Sequence, residues 1–468
     1  MNKKIILIIL STFFIFFTRP RYGGILNLYL NEPISIVPYE TGIEDFNFLP
    51  LLWENFLILK KNMSLNSSIF KNWSSQNDFK RWEFRIKESL FFSDLTPIES
   101  SVLKKSLETY IKSGTPGAEK LAAKISGGNE FLQNKSLKIK GIIDEEPLKL
   151  VIDLINSEPD FPLMLSTPYL FVFSERKNSY SGPFVLDSWV KGERIELLPN
   201  QNYFKGMPYI EKLQIFFSGK ENPEITFDFY KVENNLNESH ELIEGKNRMV
   251  YLLFNPSQMN ENSRKAFVSL ILTKWRNKNN RIKLASCFFP EKEVGFVLDF
   301  PGIKDFRAYL PYLDINLGIE KELEFMQKDL ENVFKEELKI NLFYFSSKEK
   351  KKIIEDGSFQ ILLVEEMFFP YQEDGERLIY LLDDVLYSTL DADYIEVFNV
   401  LKDREKISDI NVKKELFFFS QKKLIEKAII IPLFYFKENF SFNKKFEGLE
   451  VDVYGRPLFS SVRKRFPS

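Results

Sequence analysis

Residues 181–215, SGPFVLDSWVKGERIELLPNQNYFKGMPYIEKLQI, constrain the fold of this chain more than any other stretch. They open on Gly182-Pro183, a turn signal, and continue as two strand-like runs, 184–189 and 194–198, broken at Lys191-Gly192. A bend follows over residues 199–206, with Tyr203 and Phe204 inside it, and a third strand over 210–217. The expected product is a hairpin plus a crossing strand in a sheet with one wet face. Nothing in this stretch is equipped for catalysis.

Elsewhere the pattern mixes strand and helix. Trp82, Phe84 and Ile86 alternate with Arg81, Glu83, Arg85 and Lys87, as a half-buried strand requires. Residues 22–30 alternate after two glycines and predict an opening strand, left through Pro33 and Pro38. Thr96-Pro97 precedes a helix over 100–110. Strands are predicted at 137–141 and 148–154 around the acidic turn Asp144-Glu145-Glu146-Pro147, and an apolar strand at 169–173. Leu323, Met326, Leu330, Val333 and Phe334 predict an amphipathic helix over 320–338, with a strand at 339–345 and a solvated basic helix face at 348–352 behind it. Trp53, Trp73, Trp82 and Trp189 read as core residues rather than stacking platforms.

A chain of 468 residues exceeds one ordinary domain, so two or three lobes are expected. Hydrophobic residues at 44% and charged residues at 28% are those of a globular protein. The 64 basic and 66 acidic side chains leave a net charge of −2, so no whole-protein field selects nucleic acid or an anionic membrane. Cys287 is the one cysteine, which excludes an intrachain disulfide. His240 is the one histidine and sits in the polar run NNLNESHELIEG, which reads as a solvated loop rather than the place of a catalytic base. Poverty in both residues excludes Cys- and His-rich metal sites, and no G-x-S-x-G string is present.

At the start, Lys3-Lys4 precede residues 5–17, apolar except for Ser11 and Thr12. That run is short for a membrane span, which needs about 20 residues. A basic start and a short apolar run read as a secretory signal. The following TRPRYGG offers no small-x-small pair and no cysteine, so a Cys-linked lipoprotein is not expected. Export with cleavage is the first expectation and an uncleaved N-terminal anchor the second.

Several strings, in order, resemble one family. Gly182-Pro183-Phe184, Lys191-Gly192, Asn200-Gln201-Asn202-Tyr203-Phe204 and Gly206-Met207-Pro208-Tyr209-Ile210 resemble the hallmark of the extracellular solute-binding proteins of family 5. So do Gly23-Gly24-Ile25-Leu26, Glu32-Pro33, Leu52-Trp53-Glu54-Asn55-Phe56, Phe92-Ser93-Asp94-Leu95-Thr96-Pro97, Gly357-Ser358-Phe359, Ile431-Pro432-Leu433 in a late strand over 424–436, and Phe446-Glu447-Gly448-Leu449. Leu95 replaces the family's glycine, so that turn is expected to be altered or strained. The resemblance runs from Tyr22 to about Phe459, strongest over 51–217 and weakest over 221–311.

The resemblance implies an α/β, two-lobed periplasmic binding protein type II (cluster C) fold with mixed sheets, an extra subdomain inserted in the first lobe, and a hinge between lobes. The expected division is a signal or anchor over 1–18, lobe I from 19–45, 166–245 and 433–468, the extra subdomain over 46–165, and lobe II over 246–432. It implies a periplasmic or otherwise extracytoplasmic receptor of an ABC importer, not an enzyme and without cofactor or metal. Such a monomer would capture a peptide-like or other small organic solute for an ABC permease in the inner membrane, with no nucleic acid partner. A non-transporting surface adhesion or signalling module on the same scaffold is the alternative.

In peptide-binding relatives an Asp after the Phe-Asp strand holds the solute's ammonium group, and a Trp three residues earlier lines the pocket. Counted from Gly357-Ser358-Phe359, those places hold Phe369 and Glu366, Gln360 stands for the strand Asp, and Lys105 stands for a common helix Tyr. Glu32 keeps its type. The expected solute contacts are therefore Glu32, Lys105, Glu365, Glu366, Phe368 and Phe369. Glu365 or Glu366 would supply a displaced carboxylate for a cationic group, and Lys105 would meet a carboxylate of the solute.

Overall fold

The computed structural model describes residues 22–33, 35–39, 47–60, 64–115, 117–217, 226–232, 239–278, 315–334, 338–367, 392–404, 407 and 410–465. The N-terminal apolar run, Cys287, Phe368 and Phe369 lie outside the described residues. The chain opens with β1 (Ile25–Tyr29), whose alternation buries Leu26 and Leu28. Then come α1 (Leu49–Leu52), the hairpin β2 (Ile58–Leu59) and β3 (Leu65–Asn66), and the pair β4 (Phe70–Gln76) and β5 (Arg81–Ile86). As its period demands, β5 buries Trp82, Phe84 and Ile86.

Next are α2 (Ser100–Lys112), α3 (Ala118–Lys124), α4 (Gly128–Leu132), β6 (Ile142–Glu146), β7 (Lys149–Asp153) and α5 (Phe161–Met164). Strands β4-β5-β7-β6 form a sheet of their own, and α2 covers it with Leu103, Leu107, Tyr110 and Ile111. The strand expected at 137–141 does not form, because the Glu108 carboxylate takes the Ile139 N–H and Ser126 O takes the Gly141 N–H. Pairing starts at Ile142 instead.

The apolar segment 169–173 is buried but is not a ladder strand; it makes one bridge, Asn55 with Phe171. Its backbone is satisfied mostly by side chains. Tyr39 Oη receives the Phe171 N–H, Ser106 Oγ receives the Phe173 N–H, and Asn55 Nδ2 donates to Leu170 O.

The remaining elements are β8 (Phe184–Val190), β9 (Arg194–Pro199), β10 (Lys212–Phe216), β11 (Phe229–Val232), β12 (His240–Phe254), α6 (Glu261–Lys278) and β13 (Ile315–Glu320). A 3-10 turn over Lys321–Met326 leads to α7 (Gln327–Phe334), β14 (Ile340–Phe345), α8 (Ser347–Glu355) and β15 (Ile361–Met367). Last come α9 (Ala392–Arg404), α10 (Ile410–Glu426), β16 (Ile430–Asn443) and four two-residue strands up to Lys464. Among the described residues these give a ten-stranded mixed sheet, β14-β13-β15-β12-β16-β11-β1-β10-β9-β8.

Three expectations are corrected here. The helix expected over 320–338 is a strand end, a 3-10 turn and α7. Glu320 still pairs with Phe345 in the parallel ladder, and Leu323 and Met326 are spaced three apart, which a 3-10 turn places on one side as well as an α-helix does. The late strand begins at Ile430 rather than 424, since α10 runs to Glu426. His240 is not in a solvated loop. It opens β12 at 5% exposure, with Nε2 donating to Phe227 O at 3.1 Å and Nδ1 facing Ser239 Oγ at 2.9 Å.

Buried apolar residues fall into two separate cores. One gathers β1, the β4–β7 sheet, α2 and Phe440, Phe442 and Phe446; the other gathers residues 249–254, α6, β13, β15 and residues 424–434. Two strands carry residues in both. β12 has Ile243 against the first core and Met249 in the second, while β16 has Phe434 in the second and Phe440 in the first. The pairing of these strands shifts between Glu244–Asn439 and Asn247–Lys437, so Gly245 and Lys246 oppose Glu438 in a β-bulge.

Candidate solute site

Glu32 lies just beyond β1, on the segment that leaves the sheet toward Pro33. Its carboxylate is engaged by the β8–β9 hairpin tip. Trp189 Nε1 donates to Oε1 at 3.0 Å, and Gly192 N lies 3.0 Å from both oxygens. Lys191 caps the arrangement, its Nζ 3.3 Å from the centre of the Trp189 ring. Thus the Lys-Gly turn is more than a hairpin signal: it clamps the loop on which Glu32 sits.

Lys105 is on the exposed side of α2. Its ammonium pairs with Glu175 Oε1 at 3.3 Å, both side chains being more than half exposed. Such a pair contributes little to stability and is easily exchanged for another anion. One residue on, Ser106 turns inward and fixes residue 173, so the register of α2 is set by burial and Lys105 is left outward.

Glu365 and Glu366 are in β15, paired with Val250 and Met249 of β12. Glu365 is 4% exposed, and its N–H donates to Glu320 Oε2 at 2.8 Å. Glu320 is itself 1% exposed and has Lys350 Nζ 3.8 Å away. Gly318, two residues earlier, lets β13 fit between its neighbours: a Cβ there would come within 2.6 Å of Leu362 Cδ2 and of the Phe343 ring. The structure therefore carries a buried carboxylate, Glu320, directly beside Glu365. In the sequence Glu320 stands at the start of an amphipathic pattern and gives no sign of this strand-end position.

Glu32 and Lys105 belong to elements of the first core and Glu365 to the second. Trp189 and Gly192 join the site through Glu32 without any motif that marks them for it. A Trp two residues before a Lys-Gly turn, with an acidic residue on an exposed loop, was the available signal, but nothing local says that the two meet.

Two further motif segments are hydrogen-bonded hubs. In the bend after β9, Asn200 Nδ2 donates to Gly182 O, Asn202 Nδ2 to Ser93 O, Tyr203 Oη to Glu54 Oε2 at 2.6 Å, and Lys205 Nζ to Glu54 Oε1 at 2.7 Å. Burial, followed by the Glu54 charge, pushes the Tyr203 phenol far above its ordinary range, so it stays a donor. Gly182 admits no side chain, since a Cβ would lie 2.4 Å from the Leu52 carbonyl carbon. In the other hub Leu95 is held at φ +65°, as the missing glycine led one to expect, and is 61% exposed. Burial raises the Asp94 carboxyl, but hydrogen bonds from Thr96 and Ser179 and the charge of Arg176 outweigh it and leave it below its ordinary value.

The family model described as "Bacterial extracellular solute-binding proteins, family 5 Middle" matches residues 65–225, which hold the Leu95 turn and the bend after β9 but not its partner Glu54. Over that stretch the chain is similar to the bacterial extracellular solute-binding proteins of family 5. It is 25% identical over 179 residues to the probable D,D-dipeptide-binding periplasmic protein DdpA of Escherichia coli, an overlap of 34% of this chain and 31% of that protein. The alignment thus spans about a third of the curated relative's length. Similarity in fold is much wider. The E. coli murein tripeptide binding protein MppA matches at a TM-score of 0.73 and 14% identity, covering 95% of this chain and 98% of that one. Haemophilus influenzae OppA, in complex with RPPGFSPFR, matches at 0.73 and 14% over 95% and 100% of the two chains. The chain accordingly has the two-lobed periplasmic binding protein type II fold, with mixed α/β layers and mixed sheets.

Proposed function

We propose that this chain is the solute-capturing receptor of an ABC importer, that it works outside the cytoplasm as a monomer, and that it closes two lobes on a peptide-like solute without making or breaking a bond. The observation that carries this reading is the pair of separate cores joined through β12 and β16, with a bulge between them. Two rigid bodies sharing a narrow strand connection rotate at little cost in buried surface, which is what capture by closure needs. In this reading lobe I is 19–45, 166–245 and 433–468, with the extra subdomain 46–165, and lobe II is 246–432. The permease would dock on the closed form.

Peptides are the favoured solute class because, of the structures matched over most of this chain, MppA is named for a murein tripeptide and Haemophilus influenzae OppA holds RPPGFSPFR. Closure removes the solute's polar groups from water, so each needs a partner. Lys105 would take a solute carboxylate in exchange for Glu175. Glu365 and Glu366 would take a cationic group, Phe368 and Phe369 would flank its apolar part, and Glu32 would contribute by keeping its loop in place.

Thermal unfolding in the presence of di- to nonapeptides tests the proposal, since a ligand at about 100 times its Kd adds about 2.7 kcal/mol. A rise in Tm with at least one peptide class, lost on N-acetylation, is expected. A broad peptide and metabolite panel that moves the Tm nowhere would remove the basis for it.

A further inference from the structure

The loop between α4 and β6 has a composition that the solute-binding reading does not use. Its sequence, QNKSLKIKG over 133–141, holds three lysines and no acidic residue. Its two large apolar side chains are treated oppositely: Ile139 is 1% exposed and Leu137 97%. A single exposed leucine is ordinary on a protein surface. This one differs in being held out by a fixed backbone. Asn134 takes φ +57°, Ser136 Oγ donates to Lys138 O and accepts from Lys138 N, and the Glu108 carboxylate takes the Ile139 N–H. With Ile139 plugged into the core, Leu137 has nowhere to fold back.

Among the described residues Lys135, Lys138 and Lys140 form no ion pair, and all three are exposed. A fourth cation, Lys112, is drawn to the loop by Asn134 Oδ1 at 3.2 Å. The net charge of −2 over the whole chain therefore hides a knuckle of four lysines with an apolar tip, in which the Glu108 carboxylate under Ile139 offsets part of the positive charge. We propose that this knuckle touches a membrane surface, with Leu137 entering the headgroup–acyl boundary and the lysines meeting anionic phospholipid phosphates. Charge complementarity favours this occupant. A protein partner held by apolar contact would need a patch of several hundred Å2 on this side, whereas one leucine ringed by lysines suits a plane of dispersed negative charge. The contact is weak by itself and becomes persistent only beside a second attachment, so it would orient a receptor already kept near the bilayer. It does not depend on what the lobes bind.

An environment-sensitive dye on Leu137→Cys, in a Cys287→Ser background of the full chain, reads the contact locally; the same dye on Lys71→Cys serves as control. Vesicles containing phosphatidylglycerol should shift the Leu137 dye to the blue and leave the Lys71 dye unchanged. Pure phosphatidylcholine should do neither, and high salt should reverse the shift. Each lysine near an anionic surface is worth about fivefold in affinity, so Lys135→Gln, Lys138→Gln and Lys140→Gln together should raise the half-saturating vesicle concentration about a hundredfold. All three positions are exposed and none supports the loop backbone through its side chain. No shift on phosphatidylglycerol, or equal shifts on both lipids, overturns the proposal. So does an equal shift with soluble polyphosphate, which would make the occupant a polyanion rather than a bilayer.

Discussion

Tyr203 donates its phenol to the Glu54 carboxylate at 2.6 Å, joining the bend after β9 to the end of α1 across 149 positions of chain. Glu54 is 5% exposed, and its other oxygen takes Lys205 at 2.7 Å. Removing the phenol leaves a buried charge short of a donor. Tyr203→Phe should therefore cost about 1.5–3 kcal/mol, read as a lower urea midpoint with unchanged m. A loss under about 0.5 kcal/mol would show that water replaces the hydroxyl.

Leu95 presents a strain that can be relieved. A non-glycine residue in the left-handed region costs about 1–2 kcal/mol, and with the side chain 61% exposed little burial is at stake. The freer unfolded chain of a glycine variant returns about 0.4–1 kcal/mol of that gain. Leu95→Gly should stabilise by about 0.5–1 kcal/mol, whereas the β-branched Leu95→Val should destabilise. Thermal melts ranking Gly above Leu above Val would bear this out; a glycine variant less stable than the parent would show that the leucine makes contacts that offset its backbone.

The bulge between β12 and β16 gives a test of closure. Gly245 and Lys246 share one partner position, so deleting Gly245 restores one-to-one pairing between the two cores. The variant should keep its melting temperature within a few degrees. Peptide-induced compaction in small-angle scattering should shrink, because the strand connection then bends less easily. Undiminished compaction would place the pivot elsewhere.

Acid stability has an identifiable contributor on the exposed face of β9. The hydrogen bond from Lys212 is the largest influence on Glu196, joined by Gln214 and Arg194, and together they bring its pKa from 4.5 to about 2 despite some burial. The folded pKa is depressed, so this group's stabilisation is complete above pH 4.5 and is lost as the pH falls toward about 2. Other carboxylates titrate in the same window. The informative quantity is therefore the difference between parent and Glu196→Gln: the urea midpoint of the variant should fall less steeply between pH 4.5 and 2. Parallel curves would mean that the Lys212–Glu196 contact is lost in solution.

Much of the framework could be read from local pattern. The hairpin at 184–198, the alternation of residues 81–86 and the helix from Ser100 all stand close to where periodicity put them. Even the strain at Leu95 follows from one residue set against a turn that favours glycine. Misreadings arose where a segment's partners are remote. Residues 169–173 look like a strand because they are apolar, but Tyr39, Asn55 and Ser106 occupy the backbone groups that a ladder would use. His240 looks solvated because its neighbours in sequence are polar, yet Phe227 O completes a buried place for its ring.

The candidate site divides in the same way. That Glu32, Lys105 and Glu365 are charged residues set in otherwise ordered elements is written in the chain. That Glu32 is held by a hairpin tip 157 to 160 positions away, that Glu365 lies beside a buried Glu320, and that the apolar residues split into two bodies is not. Side-chain period tells which face of an element is apolar, because that depends on 3.6- or 2-residue spacing alone. Which face meets which, and which polar group ends within hydrogen-bonding reach of another, is decided only when distant segments pack and every buried donor must find an acceptor.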